Sequence, residues 1–226
     1  MNGSAVVSGG TGGLGSAVTR ALLDAGWRVV VPYVDEHELK RLQAHPQLEL
    51  VPADLFDPDA AAVVIERAGE DLRALVNLVG GFAAGGRVHE TPIEDFETQF
   101  RLNLRPTYLL CQAALPRMLD AGAGAIVCVS TRAALRPFAG AAGYIASKAA
   151  VLALVDALAA EYTLDGIRAN AILPSVIDTP ANRASQPDAD HSRWVSPDEI
   201  ADVIRFLCAP ESSAISGAHI PVYGRA

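Results

Sequence analysis

The chain has 226 residues, half of them hydrophobic and 19% charged, with a formal net charge of −8 at pH 7 and a pI near 5.1. That hydrophobic share supports a substantial core and excludes extended disorder. A phosphate-backbone binder needs a basic face, which this acidic composition does not offer, so nucleic acid is not an expected partner.

Strand and helix patterns alternate along the whole chain. Residues 5–8 read as a short buried strand, and 13–26 as a helix with Leu14, Val18, Leu22 and Leu23 on one stripe. The second strand is 28–33, followed by a helix over 36–44 and a third strand over 48–51. A helix over 58–68 leads to a strand over 74–79, a long helical region over 93–119 and a strand over 124–130. A strongly apolar helix over 143–165 precedes the sixth strand, 168–173. A helix over 197–208, with Ser196 as N-cap, and a strand over 219–222 close the pattern. Apolar strands alternating with helices imply a parallel sheet covered on both faces. Right-handed crossovers then give a doubly wound, Rossmann-type α/β fold of about seven strands. Residues 1–226 read as a single domain. One stretch, 175–195, shows no helix or strand pattern and is rich in Pro, Asp, Ala and Ser. A loop of that length in a compact domain is functional or mobile, and here it is read as a substrate lid.

Cys111, Cys128 and Cys208 are odd in number, far apart and set among apolar neighbours. They read as reduced core thiols of a cytoplasmic protein. No signal peptide precedes the first strand and no run of 18 apolar residues occurs, so no membrane association is expected. No metal site is expected either.

The turn from the first strand to the first helix is Ser8-Gly9-Gly10-Thr11-Gly12-Gly13-Leu14-Gly15. Gly9, Gly13 and Gly15 give the spacing G-x-x-x-G-x-G. Glycine permits the sharp turn, the approach of backbone to a pyrophosphate and the close packing of helix on strand. The helix N-terminus then presents free N–H groups to phosphate. Such turns also occur without a ligand. Farther on, Tyr144-Ile145-Ala146-Ser147-Lys148 sets a tyrosine and one of only two lysines on the same helix face. A free phenol titrates near 10, too high for proton exchange at neutral pH. A nearby ammonium and a cationic nicotinamide would lower that value, and the ammonium could also bind ribose hydroxyls. The alternative is an exposed helix pair.

Together these residues resemble the short-chain dehydrogenase/reductase family, over essentially the whole chain. The match rests on Gly9, Gly13 and Gly15, Asp54, Asn77 and Gly80, Asn103, the Tyr144/Lys148 pair, and 170–174 with Thr179. The resemblance implies hydride transfer between a nicotinamide cofactor and a small carbonyl or alcohol substrate, or a quinonoid ring. It makes Tyr144 the general acid/base, with Lys148 lowering its pKa and gripping the ribose. Asn103 would sit at a helix irregularity and hold a water of the proton relay. Pro106 lacks an N–H and robs the Leu102 carbonyl of its helical partner, so a kink is expected there. The family's serine falls at Thr131, whose hydroxyl can donate the same bond, with Ser130 in reserve. The implied cofactor contacts are Gly9, Thr11, Gly13, Leu14, Gly15, Tyr33, Asp54, Leu55, Asn77, Gly80, Pro174, Ile177 and Thr179, with Tyr144 and Lys148. The family's second asparagine is Leu78 here, and its Pro-Gly is Pro174-Ser175.

An acid at the end of the second strand favours NAD, and an arginine favours NADP. That position is Tyr33, followed by Asp35 and Glu36, with no cation before Lys40 and a neutral Gly12. NAD is therefore preferred to NADP, although Asp35 serves equally as a helix N-cap. The segment 173–194, with Gly80-Gly81-Phe82, resembles the dihydropteridine reductase branch. Trp194 and Phe82 could stack on a flat ring, or Trp194 could pin the loop. The apolar surplus of the helix from 143 suggests a subunit contact and a homo-oligomer, a dimer or tetramer. The rival reading is a non-enzymatic dinucleotide sensor or scaffold, a class that tends to lose the tyrosine or lysine present here.

Overall fold

A computed structural model describes residues 3–225. Seven strands form one parallel sheet: β1 (Ser4–Ser8), β2 (Arg28–Tyr33), β3 (Leu48–Pro52), β4 (Leu72–Asn77), β5 (Gly124–Val129), β6 (Ile167–Pro174) and β7 (His219–Val222). Their order is β3-β2-β1-β4-β5-β6-β7. The helices are α1 (Gly15–Asp24), α2 (Pro58–Ala68), α3 (Ile93–Asn103), α4 (Arg105–Ala121), α5 (Ala142–Tyr162), α6 (Pro180–Ser185) and α7 (Pro197–Cys208). Every residue of β1 is buried, as expected of a strand covered on both faces. One face packs against α2, α4 and α5 through residues such as Val64, Leu110 and Val155. The other packs against α1 and α7 through Val18, Leu22, Ile200 and Ile204.

The chain runs outward from β1 to β2 and β3, then crosses back to place β4 on the other side of β1. At such a switch point the loops after the two central strands diverge and leave a crevice at their carboxyl ends. Here those ends are the glycine turn and residues 78–82. They are tied together: the Leu78 N–H donates to both the backbone carbonyl and the Oγ of Ser8, each at 3.2 Å.

Two expected elements differ. The helix expected over 36–44 is a 3₁₀ helix, Glu36–Arg41, capped by Asp35, whose carboxylate accepts from the His37 N–H. It buries no residue, so no packing extends it, and Pro46 biases His45 away from helix. The expected patternless segment 175–195 contains α6, capped by Thr179 with Pro180 in its first turn, and a 3₁₀ turn, His191–Arg193, capped by Asp190. These pieces are too short for apolar periodicity to reveal, and capping chemistry stabilises them instead. The region 93–119 divides into α3 and α4 where Pro106 removes an N–H, matching the expected kink.

Residues 142–165, with mean hydropathy 1.5, form a helix long and apolar enough to cross a membrane by length and composition. In this fold it turns Val151, Leu152, Val155 and Leu158 onto the sheet, the ordinary place of a core helix.

Candidate active site

The glycine turn brings the start of α1 close against the end of β1. Gly9 has φ +69°, and a Cβ on Gly15 would lie 1.9 Å from the Gly9 carbonyl oxygen. Only glycine allows α1 to start this close to the strand. The N–H groups of Gly13, Leu14 and Gly15 have no partner among the described residues, so they are free to meet an anion. Leu14 is partly buried and packs on the core. Thr179, at the base of the segment 175–195, comes so near that a Cβ on Gly13 would sit 3.0 Å from its methyl carbon.

Beyond the turn, Thr11 is buried and its hydroxyl donates to Glu38 Oε2 at 2.7 Å. Arg41 Nη1 donates to Glu38 Oε1 at 2.7 Å and to the Thr11 carbonyl at 3.2 Å. The Thr11 hydroxyl, and then Arg41, hold the Glu38 carboxyl below the usual carboxylate range. Sequence inspection missed this network, because only the 3₁₀ fold brings Arg41 back to the glycine turn. Asp35 is occupied as a cap. Tyr33, partly buried, pairs with Pro52 of β3. Asp54 is exposed and accepts from the Phe56 N–H at 3.0 Å, while Leu55 is buried. Asn77 is buried, with Nδ2 3.6 Å from the sulfurs of both Cys111 and Cys128 and with Oδ1 unpartnered.

The first two turns of α5 bring Tyr144 and Lys148 to the crevice beside the ends of β4 and β5. The Phe82 ring meets the Tyr144 ring edge-on, centroids 4.9 Å apart, and Phe138 lies 6.4 Å from Phe82. Burial pushes the Tyr144 phenol upward, and a hydrogen bond with the Thr131 hydroxyl pulls it back. Lys148 is buried, and its ammonium donates to the Val129 carbonyl at 3.0 Å. Burial lowers its pKa to about 8, partly offset by Cys128. The lysine side chain runs to the last residue of β5, and the phenol's shift owes to burial and Thr131 alone.

Ser130 and Thr131 part company. The Ser130 hydroxyl is buried and donates to the Lys148 carbonyl at 2.8 Å. The Thr131 hydroxyl faces the phenol and also accepts a 3.3 Å bond from the Ala133 N–H. Asn103, at the end of α3, accepts from the Gly81 N–H at 3.0 Å and donates to Ser147 Oγ at 3.1 Å. No described donor reaches the carbonyls of Leu102 or Asn103. A Cβ on Gly80 would lie 2.6 Å from Asn103 Oδ1 and 2.9 Å from Lys148 Nζ, so glycine is needed there for close approach. Pro174 ends β6. Ile177 pairs with Val195 and closes the base of the segment 178–194. Within that segment Arg183 pairs with Asp178, and the Trp194 ring lies 4.3 Å from that of His191.

The family model described as enoyl-(acyl carrier protein) reductase matches residues 9–224. The chain is 32% identical to 2-(R)-hydroxypropyl-CoM dehydrogenase of Xanthobacter autotrophicus, over 99% of this chain and 98% of the relative. Among solved structures it superposes with a TM-score of 0.90 on a short-chain dehydrogenase/reductase family protein, 32% identical and covering 98% of this chain and 96% of that one. ElxO with NADP bound superposes with a TM-score of 0.92 over 99% and 98% of the two chains at 23% identity, a likeness of fold.

Proposed function

The chain belongs to the short-chain dehydrogenase/reductase family and is an oxidoreductase that uses a nicotinamide cofactor, and on that premise we propose that Tyr144 is its proton-transfer residue. The observation that carries this is the half-buried Tyr144 phenol, packed edge-on by Phe82 and with the Thr131 hydroxyl against it, in the crevice beside the glycine turn. The nicotinamide, when bound, supplies or takes up the hydride. Tyr144 gives or takes the proton at the substrate oxygen. Burial keeps the phenol protonated in the resting protein, which suits it to protonate the oxygen of a carbonyl being reduced. Thr131 donates a hydrogen bond to the same oxygen and fixes it in place. Ser130, bonded to the backbone of α5, is a positioning residue. Lys148 holds ribose hydroxyls and supplies positive charge to the crevice. Asn103 offers its free backbone carbonyl to a water of the proton relay, and its amide holds Gly81 and Ser147.

The free N–H groups of the glycine turn support its reading as the pyrophosphate site, with Tyr33, Asp54, Leu55, Asn77 and Gly80 along the adenosine and ribose side. Pro174, Ile177 and Thr179 then border the nicotinamide. Tyr33 and the neutral Gly12 support NAD over NADP, whereas Asp35 gives no support because it is spent as a cap. The exposed rings of Phe82 and Phe138 favour a small ketone or secondary alcohol with an apolar or flat portion. A quinonoid ring, as in dihydropteridine reductase-like chemistry, would stack on Phe82, because Trp194 already lies against His191. The segment 175–195 closes over the substrate from its pinned base, within one catalytic domain placed in the cytoplasm. The outer groove of α3, α4 and α5, about 750 Å³ and lined by Phe56, Phe100, Leu104, Tyr108 and Leu154, supports a homodimer or homotetramer.

The test is Tyr144→Phe, assayed on a panel of small ketones with NADH and by calorimetric titration with NADH alone. Turnover falls by about 10²–10⁴ while cofactor affinity is kept. Undiminished turnover in the variant overturns the assignment.

A further inference from the structure

We infer that the Glu38–Arg41 pair is a cofactor-selecting device, in which Glu38 withholds Arg41 from a ribose 2′-phosphate and so favours NAD over NADP. The inference rests on the reading that the turn from Gly9 to Gly15 holds the dinucleotide. In dinucleotide folds the acid that meets the ribose 2′-hydroxyl lies about twenty residues past the glycines. At the end of β2 that place is taken by the uncharged Tyr33. The carboxylate that reaches the glycine turn comes from Glu38, carried back by the 3₁₀ helix and bonded to the buried Thr11.

Both Glu38 oxygens are engaged, one by Thr11 and one by Arg41. Arg41 spends only Nη1, and its Nε and Nη2 have no partner among the described residues. Its side chain is 44% exposed and that of Glu38 37%. The fork edge of the guanidinium therefore faces solvent beside the turn, with its charge balanced by Glu38. A 2′-hydroxyl can donate to the carboxylate and leave the pair intact. A 2′-phosphate brings about −1.5 to −2 charges, meets the carboxylate with the same sign and competes with it for Arg41. Without the carboxylate, the same guanidinium is a ready bidentate phosphate clamp.

The experiment is calorimetric titration with NADH and with NADPH, without substrate, of the wild type, Glu38→Gln, Arg41→Met and the double variant, with thermal melts to confirm folding. Glutamine keeps the size and the acceptor for Thr11 while removing the charge. Wild type favours NADH. Glu38→Gln gains about tenfold or more in NADPH affinity and loses some NADH affinity, so the NADPH-to-NADH ratio rises by at least about tenfold. The gain shrinks with added salt and disappears in the double variant. Arg41→Met alone keeps NADH binding within about threefold. An unchanged NADPH-to-NADH ratio in Glu38→Gln overturns the inference, as does a wild-type preference for NADPH that Arg41→Met abolishes. Binding of neither cofactor by the wild type overturns instead the reading of the glycine turn on which it rests.

Discussion

Replacing Lys148 with methionine is expected to stabilise the cofactor-free protein at neutral pH while disabling it. Burial lowers the lysine pKa from 10.5 to about 8, so the folded state disfavours the charged form. At about 1.4 kcal/mol per pH unit, holding the ammonium in the fold costs about 3 kcal/mol below pH 8. The sign follows from proton counting: between about pH 8 and 10.5 the unfolded chain binds more protons, so this contribution to stability rises with pH and the penalty vanishes near 10.5. Methionine has a similar length and no charge, but it forfeits the bond to the Val129 carbonyl, at about 1–2 kcal/mol. The net expectation at pH 7 is a gain of about 1–2 kcal/mol, a melting temperature higher by roughly 4 °C in a chain of this size. Denaturant titrations of wild type and Lys148→Met from pH 7 to 10 test this. The gap should narrow above pH 8 and close before about pH 10.5. A variant less stable than wild type at pH 7, or a gap constant with pH, would refute the argument from burial.

Three further outcomes follow from the geometry. Thr131→Val should lower turnover by about 10–100-fold with the fold intact, whereas Ser130→Ala should show mainly as about 1–2 kcal/mol of lost stability, since its hydroxyl serves the Lys148 carbonyl; steady-state kinetics and melts on the same samples separate them, and the reverse pattern would reassign the hydroxyl. Gly80→Ala drives a Cβ against two buried, hydrogen-bonded side-chain ends, Asn103 Oδ1 and Lys148 Nζ, so it should cost about 1–2 kcal/mol of stability and about tenfold or more in turnover, and unaltered kinetics would show that their placement does not matter. Tyr108→Glu, on the exposed groove of α4, should shift the mass seen by light scattering toward the monomer, an idea that fails if the wild type is itself monomeric at every concentration.

The sheet was legible because strands buried on both faces must be continuously apolar, as Ala5-Val6-Val7 and the run Ala125–Val129 of β5 are. The helix break was legible because Pro106 has no N–H to give, and the start of α7 because Ser196 and Glu199 form a reciprocal cap. The 3₁₀ helix was not legible. Its course depends on Thr11 and Arg41, thirty residues apart, and no local pattern encodes so distant a contact. Helical spacing put Tyr144 and Lys148 on one face, but spacing fixes where a side chain starts, not where four methylenes deliver its charge.

That last distinction bears on how the crevice is built. Gly80 just beyond β4, Asn103 at the end of α3 and Lys148 on α5 converge, each for a separate reason. Asn103 ends its helix because of Pro106. Gly80 lacks a side chain that would strike both partners. Lys148 is held by a carbonyl at the last residue of β5. The bond to the Val129 carbonyl offsets only about 1–2 kcal/mol of the roughly 3 kcal/mol that burying the ammonium costs. Burial of this charge lowers the stability of the fold. The two cores on either side of the sheet, with the fully buried side chains of Leu22, Leu75, Ile126 and Ile204, allow that sacrifice at the edge without loss of the fold.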